Sequence, residues 1–319
     1  MSITSEILAG EGGGNLIKTE IANEIWTNAF DGSIVSNLAT TQPITMGRDI
    51  IPVQTGRPAA HILGEGDVKQ ASTIEFGSKV IDPMKAQVQV RLSEEFIRAN
   101  PVGAMDYLKA ELAKAITRQI DLAVIHGRNA NTGEAITRVN ITPIASTENQ
   151  ATIPSDRALI EDAILDGEEL LTLSGDGYYS TGWAFSPLGV SRLSRAQNAQ
   201  GVRAFPELTG NASGVTAFRG SKAAVAPVVS GRVDGSADTG IVAIGGDWDA
   251  LRLGYNSAVE FRVYDSGDPD QSGRDLAAYN EIMYRAEVFF GFAVMDPNAF
   301  VVYKSADFVE PEVDPEEEG

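Results

Sequence analysis

Cysteine is absent from the 319 residues, and histidine occurs only twice, as His61 and His126. The absence of thiols excludes disulfides, thiolate nucleophiles and cysteine-based zinc or iron–sulfur sites. The scarcity of histidine leaves little of the residue most used for acid–base catalysis and metal binding. His61 falls in a long predicted loop and His126 ends a long predicted helix, and nothing in the sequence brings them together. The composition therefore argues against most classes of enzyme.

Long apolar runs and excess positive charge are also missing. No run approaches the roughly 18 apolar residues of a membrane-spanning helix, and the first residues lack the basic and then apolar pattern of a secretion signal. The formal net charge is -19, whereas sequence-independent DNA binding depends on basic side chains that neutralise phosphates. An acidic wall would repel nucleic acid held inside a container, although acidity can equally serve solubility alone.

Motifs that carry chemistry are absent as well. The chain has no Gly-x-Ser-x-Gly elbow, no His-Glu-x-x-His and no phosphate-binding P-loop. Adjacent acidic pairs such as Glu94-Glu95 and Glu168-Glu169 point apart on a helix, which is typical of a solvated face. The acidic run 265–270 resembles a calcium loop but lacks its ligand spacing. We therefore predict no catalytic residue, no cofactor and no metal site.

The first hundred residues predict extended features rather than a compact unit. Glycine-rich residues 10–14 precede a predicted amphipathic helix, Leu16 to Phe30, which together suggest an arm that packs on another element. Residues 48–92 predict a two-stranded excursion with a polar, glycine-rich middle, and residues 86–92 alternate as a half-buried strand does. A connection of this length is uncommon in a compact domain unless it has a function.

A long helix is the clearest predicted element. Asn100 is a suitable N-cap, Pro101 suits the first helical position, and Gly127 follows the predicted last residue, His126. Apolar residues recur every three or four positions between them. At a rise of 1.5 Å per residue, the helix would be about 39 Å long.

The second half predicts a mixed α/β unit. Helices are predicted over 155–173 and 187–197, with Ser186 as the N-cap of the second. Strands are predicted over 183–185, 225–229, 241–244, 259–264, 281–294 and 299–303. The acidic residues 310–319 have the composition of a disordered tail.

The order of several short motifs resembles the major capsid proteins of tailed bacteriophages. The motifs are Ile51-Pro52-Val53, Gly64-Glu65-Gly66, Phe76-Gly77, Ser93-Glu94-Glu95, the long helix with Asp121 near its end, Gly246-Asp247-Trp248 and the run 296–301. Where that family often has a tryptophan before the Gly-Glu-Gly element, this sequence has His61-Ile62-Leu63. The resemblance covers most of the chain.

The resemblance implies an α+β protein with the Hong Kong-type phage capsid fold. Its parts would be an N-terminal arm (1–45), an extended hairpin loop (46–82), a peripheral domain (83–145) whose long spine helix spans 101–126, an axial domain (146–285), peripheral return strands (286–310) and an acidic tail (311–319).

The resemblance also implies a function. A major capsid protein, which is not an enzyme, would self-assemble into hexamers and pentamers of an icosahedral shell around double-stranded DNA, without sequence-specific binding and without a membrane. It would be assembled in the host cytoplasm and reside in the virion. Charged residues of the extended loop would contact neighbouring subunits; they are Arg57, Glu65, Asp67, Lys69, Glu75 and Lys79.

The resemblance to phage capsid proteins also implies further partners. Many relatives carry a long removable helical segment before the arm, whereas Met1 here begins directly at the arm, so we expect a separate scaffolding protein. A portal protein is also expected, with a decoration protein as an optional addition. Some relatives join subunits covalently through loop lysines, but no motif marks an asparagine partner for Lys69 or Lys79, so we expect no such cross-link.

Two alternatives stay open on the sequence. The first is an encapsulin-like shell of a bacterial compartment, which would enclose enzymes instead of DNA. The second is a carboxylate-based α/β hydrolase, which would need a pocket with two carboxylates about 5–10 Å apart.

Overall fold

The computed structural model describes residues 25, 32–44, 47, 49–56, 60–63, 71, 75–99, 101–137, 139–174, 177–198, 200–208, 214–255 and 260–309. The helix predicted over 16–30, apart from Ile25, and the acidic tail predicted over 310–319 lie outside these residues. Of the helices described, none has both the length and the apolar character needed to cross a membrane.

The described part of the chain contains both helices and strands. The helices are α1 (Ile34–Leu38), α2 (Glu94–Ala99), α3 (Pro101–His126), α4 (Ile160–Leu173) and α5 (Pro187–Leu193). The strands are β1 (Thr40–Pro43), β2 (Asp49–Gly56), β3 (Glu75–Ile81), β4 (Met84–Ser93), β5 (Gln150–Ile153), β6 (Gly182–Phe185), β7 (Ala217–Phe218), β8 (Ser221–Val225), β9 (Ile241–Gly246), β10 (Leu251–Tyr255), β11 (Glu260–Tyr264), β12 (Glu281–Val294) and β13 (Phe300–Ser305).

The first sheet is built around β12, which has 14 residues. Strand β4 pairs antiparallel with β12 along the whole length of β4, from Ser93 opposite Glu281 to Met84 opposite Phe290. On the other side, β12 pairs with both β10 and β11, and β1 adds to β10 in parallel. The long strand therefore links segments that are almost 200 positions apart in the chain.

The second sheet has the order β5-β13-β9-β6-β8-β7. One face carries Trp183, Phe185 and Tyr303, which pack under α4 and α5. The other face carries Ala184 and Val302, which belong to the core around α3. Because successive strand residues point to opposite faces, the sheet separates two apolar layers.

Helix α3 is the element that both sheets share. Leu108, Leu112, Ile116 and Ile120 are buried along one stripe, as the spacing predicts. In the last turn, residues 122–125 are all fully buried, so this end of the helix lies inside the core. One continuous apolar cluster contains side chains of α3, of the first sheet and of the second sheet. Packing against α3 therefore holds the two sheets together.

Several predicted boundaries are confirmed and others are corrected. The bounds of α3 and β12 agree with the prediction, and Ser186 caps α5 by accepting a hydrogen bond from the Gly189 N–H at 2.9 Å. Helix α4 begins at Ile160 rather than 155, and α5 ends at Leu193 rather than 197. The strand predicted over 225–229 is wrong, because β8 ends at Val225 and a 3-10 helix follows over Pro227–Ser230.

Each sheet draws strands from more than one of the predicted segments. Strands β10 and β11 and the first part of β12 fall in the segment 146–285, yet they pair in the sheet of β4. Strand β13 falls in the predicted return segment 286–310, yet it lies between β5 and β9 in the second sheet. The physical reason is that alternation in the sequence reports which side of a strand is buried, but not which strand lies beside it.

Glycine is required where α5 crosses β9. A Cβ added to Gly189 would lie 2.0 Å from the carbonyl oxygen of Val242, so the helix rests directly on the strand backbone. By contrast, nothing lies within 4 Å of a Cβ added to Gly214.

We predict that Gly189→Ala lowers the free energy of unfolding by about 3 kcal/mol, because the helix must move off the sheet. Gly214→Ala, the matched control, should leave the stability nearly unchanged. Urea unfolding of both variants, followed by circular dichroism, measures the difference. An increase in the stability of Gly189→Ala, as helix propensity alone would give, would contradict the close contact.

Candidate assembly surfaces

Strands β2 and β3 form a two-stranded ribbon with an exposed apolar face. Ile50 pairs with Val80 and Pro52 pairs with Ser78. Since directly paired residues point to the same side of a sheet, Ile50, Pro52, Phe76 and Val80 share one face, called here the ribbon face. Ile50 is 68% exposed and Phe76 is 70% exposed. Contiguous apolar surface of this kind marks an interaction site.

The opposite face fixes the ribbon to the first sheet at one end. Ile81 is fully buried in a small cluster with Ile44 and Ala293, and Ile51 packs against the same cluster. Gly291 of β12 allows this approach, because an added Cβ would lie 2.7 Å from a methyl group of Ile81. The base of the ribbon is therefore anchored, while the ribbon face stays open.

The predicted loop residues are only partly within the described residues. Glu75 is exposed at the start of β3, and Lys79 is half-buried opposite Ile51. Neither makes an ion pair with another described residue. Outside the described residues lie Arg57, Glu65, Asp67 and Lys69. Contact of these six charges with a neighbouring subunit therefore stays a prediction.

The ribbon face was not predicted from the sequence, where the charges of the loop were the clearer feature. The signal was present as alternation, Phe76-x-Ser78-x-Val80 on one strand and Ile50-x-Pro52 on the other. It was hidden because a strand with alternating apolar residues normally buries that face in its own chain.

Asp121 joins α3 to the start of α1. The buried carboxylate accepts hydrogen bonds from the Ser33 hydroxyl at 2.5 Å, from the Ile34 N–H at 3.2 Å and from the Val35 N–H at 3.3 Å. Burial raises the pKa of Asp121 to about 7, while these three hydrogen bonds act in the opposite direction. Asp121, which belongs to the motif near the end of the long helix, therefore fixes the start of α1 to α3.

His126 connects the end of α3 to another backbone segment. Its Nε2–H donates to the carbonyl oxygens of Val228 and Val229, at 3.0 and 3.1 Å. Burial lowers its pKa to about 4, so the ring is neutral at ordinary pH. His61 is exposed and lies in the separate described segment 60–63. The histidine at the helix end therefore links α3 to the 3-10 helix beneath the second sheet.

The acidic loop after β11 is organised by an arginine. Arg91 of β4 donates to Asp270, to Asp268 at 3.3 Å and to Glu281 at 3.2 Å. This guanidinium holds the pKa of Asp270 well below its usual range. The loop that resembled a calcium site thus surrounds a side-chain cation. Across the described residues, no group of three or more histidines or carboxylates is arranged to hold a metal ion.

The adjacent carboxylate pairs form no common site. Glu94 pairs with Arg98 at 2.5 Å, and Glu168 pairs with Arg219 at 3.0 Å. Their neighbours Glu95 and Glu169 are exposed. Each pair therefore divides between an ion pair and solvent, as expected for a helix surface.

We predict opposite pH effects for the two buried groups of α3. The pKa of Asp121 is raised from its unfolded value near 4 to about 7, so its contribution to stability is lost as the pH rises from 4 to 7. The pKa of His126 falls from 6.5 to about 4, so its contribution is lost as the pH falls from 6.5 to 4.

Urea unfolding of Asp121→Asn, His126→Gln and the unmodified chain, measured from pH 4 to 7, tests this assignment. Relative to the unmodified chain, Asp121→Asn should become more stable as the pH rises, and His126→Gln should become less stable. Differences that do not change with pH would contradict it.

Comparison with known proteins shows what this chain resembles. The model of the phage capsid family matches residues 13–305. A probable major capsid protein, gp17, of Mycobacterium phage D29 is 25% identical over 300 residues, which cover 89% of this chain and 88% of that protein. Its counterpart in Mycobacterium phage L5 is also 25% identical, over 92% of this chain and 90% of that protein.

The fold agrees with these matches. A solved chain of Gordonia phage Cozz superposes with a TM-score of 0.74 at 37% identity and covers 86% of this chain and 87% of its own. One of Mycobacterium phage Ogopogo gives a TM-score of 0.73 at 27% identity, over 86% and 92%. The predicted capsid fold is therefore confirmed. The chain belongs to the phage capsid family, and its function is that of a major capsid protein, a component of the virion.

Proposed function

We propose that this chain forms the hexamers and pentamers of an icosahedral shell that encloses double-stranded DNA. The observation that carries the proposal is the ribbon face, where large apolar side chains remain open although the core behind them is complete. In an assembled shell, a neighbouring copy would cover this face. Capsid proteins self-associate by definition, so a second copy is the available occupant.

The charge of the chain supports a container rather than a DNA-binding protein. With a net charge of -19, an inner wall would be repelled by the phosphates of packaged DNA, so the DNA would not adhere to it. The matched family is a structural one, and we propose that the chain has no catalytic activity.

The six predicted loop charges would lie at the edge of the same contact. The loop intersperses three basic and three acidic residues, which are Arg57, Glu65, Asp67, Lys69, Glu75 and Lys79. Charged pairs around an apolar centre improve the specificity and rate of association more than its strength. The loop would thus select the correct neighbour, while the ribbon face would supply most of the binding free energy.

Additional partners belong to the same proposal. We propose assembly in the host cytoplasm with a separate scaffolding protein and a portal, and with an optional decoration protein. The sheet of β12 and β4, with α3, would form the peripheral domain, and the sheet of β9 and β13 would form the axial domain. Mass spectrometry of mature particles that showed a longer, cleaved precursor would contradict a separate scaffold.

We predict that the double variant Ile50→Ser, Phe76→Ser folds but no longer assembles efficiently. Both side chains are exposed in the subunit, so the thermal midpoint should stay within a few degrees. Without the apolar centre, the fraction of subunits in closed shells should fall at least about tenfold. Electron microscopy and sedimentation of particles, produced together with the proteins of neighbouring genes, measure that fraction.

Val309→Ser is the matched control, because Val309 is 85% exposed and lies outside the ribbon. It should assemble as the unmodified chain does. Closed shells at unchanged yield from the double variant would contradict a role for the ribbon face.

A further inference from the structure

Helix α4 presents a second unpartnered face, on the side of the helix that points away from the second sheet. Its inner side holds Ile160, Ile164, Gly167 and Leu171. On its outer side, Leu165 is 43%, Leu170 is 38% and Leu173 is 74% exposed. The acidic residues Asp162, Asp166 and Glu169 lie between them. We refer to the outer side as the leucine face.

The orientation of α4 is fixed, so the leucines cannot turn inward. A Cβ added to Gly167 would lie 2.4 Å from the Tyr303 hydroxyl oxygen, which shows how closely the helix rests on β13. The same hydroxyl donates a hydrogen bond to the Ile164 carbonyl at 3.1 Å. The three leucines therefore stay exposed in the isolated subunit.

An arginine patch lies next to the N-terminal end of the same helix. The Gln197 N–H donates to the Arg157 carbonyl at 3.1 Å, and Gln197 pairs across a short β-bridge with Arg203. Arg195 precedes this bridge by two positions. These backbone contacts place Arg157, Arg195 and Arg203 on neighbouring segments, and all three residues are exposed.

The two surfaces are complementary in charge and in apolar character. Within the described part of the chain, none of the three arginines and none of the three carboxylates makes an ion pair. Val202, next to Arg203, is 60% exposed and adds an apolar centre to the arginine patch. A group of unpaired arginines is unexpected in a chain with 44 acidic and 25 basic residues, unless the arginines meet an acidic partner.

We propose that the leucine face of one subunit docks on the arginine patch of the next copy of this chain within a capsomer. The inference rests on the proposed function, since it names one contact by which copies associate. Leu173 lies at the far end of α4 from the arginine patch, about 20 Å away along a helix of this length. Leu173 of one subunit therefore cannot reach the arginine patch of the same subunit. A contact between two different surfaces repeats from copy to copy and closes into a ring when the rotation allows.

Charge reversal tests the proposal, because each copy carries both surfaces. The variant Asp166→Arg, Glu169→Arg would place positive charges opposite the arginine patch of the next copy. The variant Arg195→Glu, Arg203→Glu would place negative charges opposite the acidic residues of the leucine face. Each pair should lower the fraction of subunits in closed shells at least about tenfold. The variant with all four changes restores opposite charges and should recover at least about half of the unmodified yield.

A matched control is Glu134→Arg, Glu148→Arg, which changes the net charge as the first pair does but at exposed positions outside both surfaces. It should assemble normally. Leu165→Ser, Leu173→Ser should reduce assembly without rescue by the arginine variants. Thermal midpoints of the free subunits confirm that each variant folds.

Normal shells from both charge-reversed pairs would overturn the proposal. So would folded subunits of the four-change variant that fail to assemble. Shells of Arg195→Glu, Arg203→Glu that form normally but package less DNA would show that the arginine patch binds nucleic acid instead. If the unmodified chain forms no shells, the proposed function itself fails. Analytical ultracentrifugation then measures how strongly the free subunits associate. Association that is weakened by each charge-reversed pair alone, but not by the four-change variant, would support the proposed contact. Association that neither pair changes would overturn it.

Discussion

Burial of α3 between two sheets is the constraint on which the rest of the structure depends. Leu112 and Ile116 occupy the same apolar cluster as Ala286 and Val288 of the first sheet and as Ile244 and Val302 of the second. Because the interior is close-packed, moving one sheet would open a cavity along the helix. Asp121 and His126 add polar connections at the same end of α3. The helix thus sets the relative position of every surface that the subunit presents.

The completeness of this core separates folding from assembly. Among the described residues, Trp183, Trp248 and Phe300 are fully buried without help from another chain. The ribbon face and the leucine face each group exposed apolar side chains that lie outside this core. Surfaces of this kind can change affinity between subunits with little change in subunit stability. A shell needs this property, because its subunits must fold before they assemble.

The two candidate surfaces differ in construction. The ribbon face lies on a narrow two-stranded extension that is anchored at Ile81, so it can reach across a subunit boundary. The leucine face lies on a helix that is seated closely on β13 through Gly167. The first would connect a subunit to a neighbour beneath its ribbon, and the second would connect neighbours around a ring. Two unlike contacts per subunit are what a closed shell of repeating rings requires.

Local signals made parts of this fold predictable from the sequence. The bounds of α3 follow from Asn100, Pro101 and Gly127, and those of β12 from a long apolar pattern. Long-range pairing was not predictable, so the sequence did not show which sheet β10, β11 and β13 would join. The acidic loop was compared with a calcium site, since the sequence does not show that Arg91, nearly 180 positions away, supplies the cation.

The two candidate surfaces were not predicted from the sequence for a related reason. An exposed leucine or isoleucine in an alternating or helical pattern has the same sequence signature as a buried one. Only the structure shows which faces the subunit leaves open. The family, in contrast, could be predicted, because the order of its short motifs survives along most of the chain.

A high-resolution electron microscopy reconstruction of assembled shells tests the account most directly. The account predicts closed shells in which a neighbouring copy covers Ile50 and Phe76 and in which Leu173 of one copy lies against the arginines of the next. Shells in which both faces remain open to solvent would contradict the account, even if the fold of each subunit were as described.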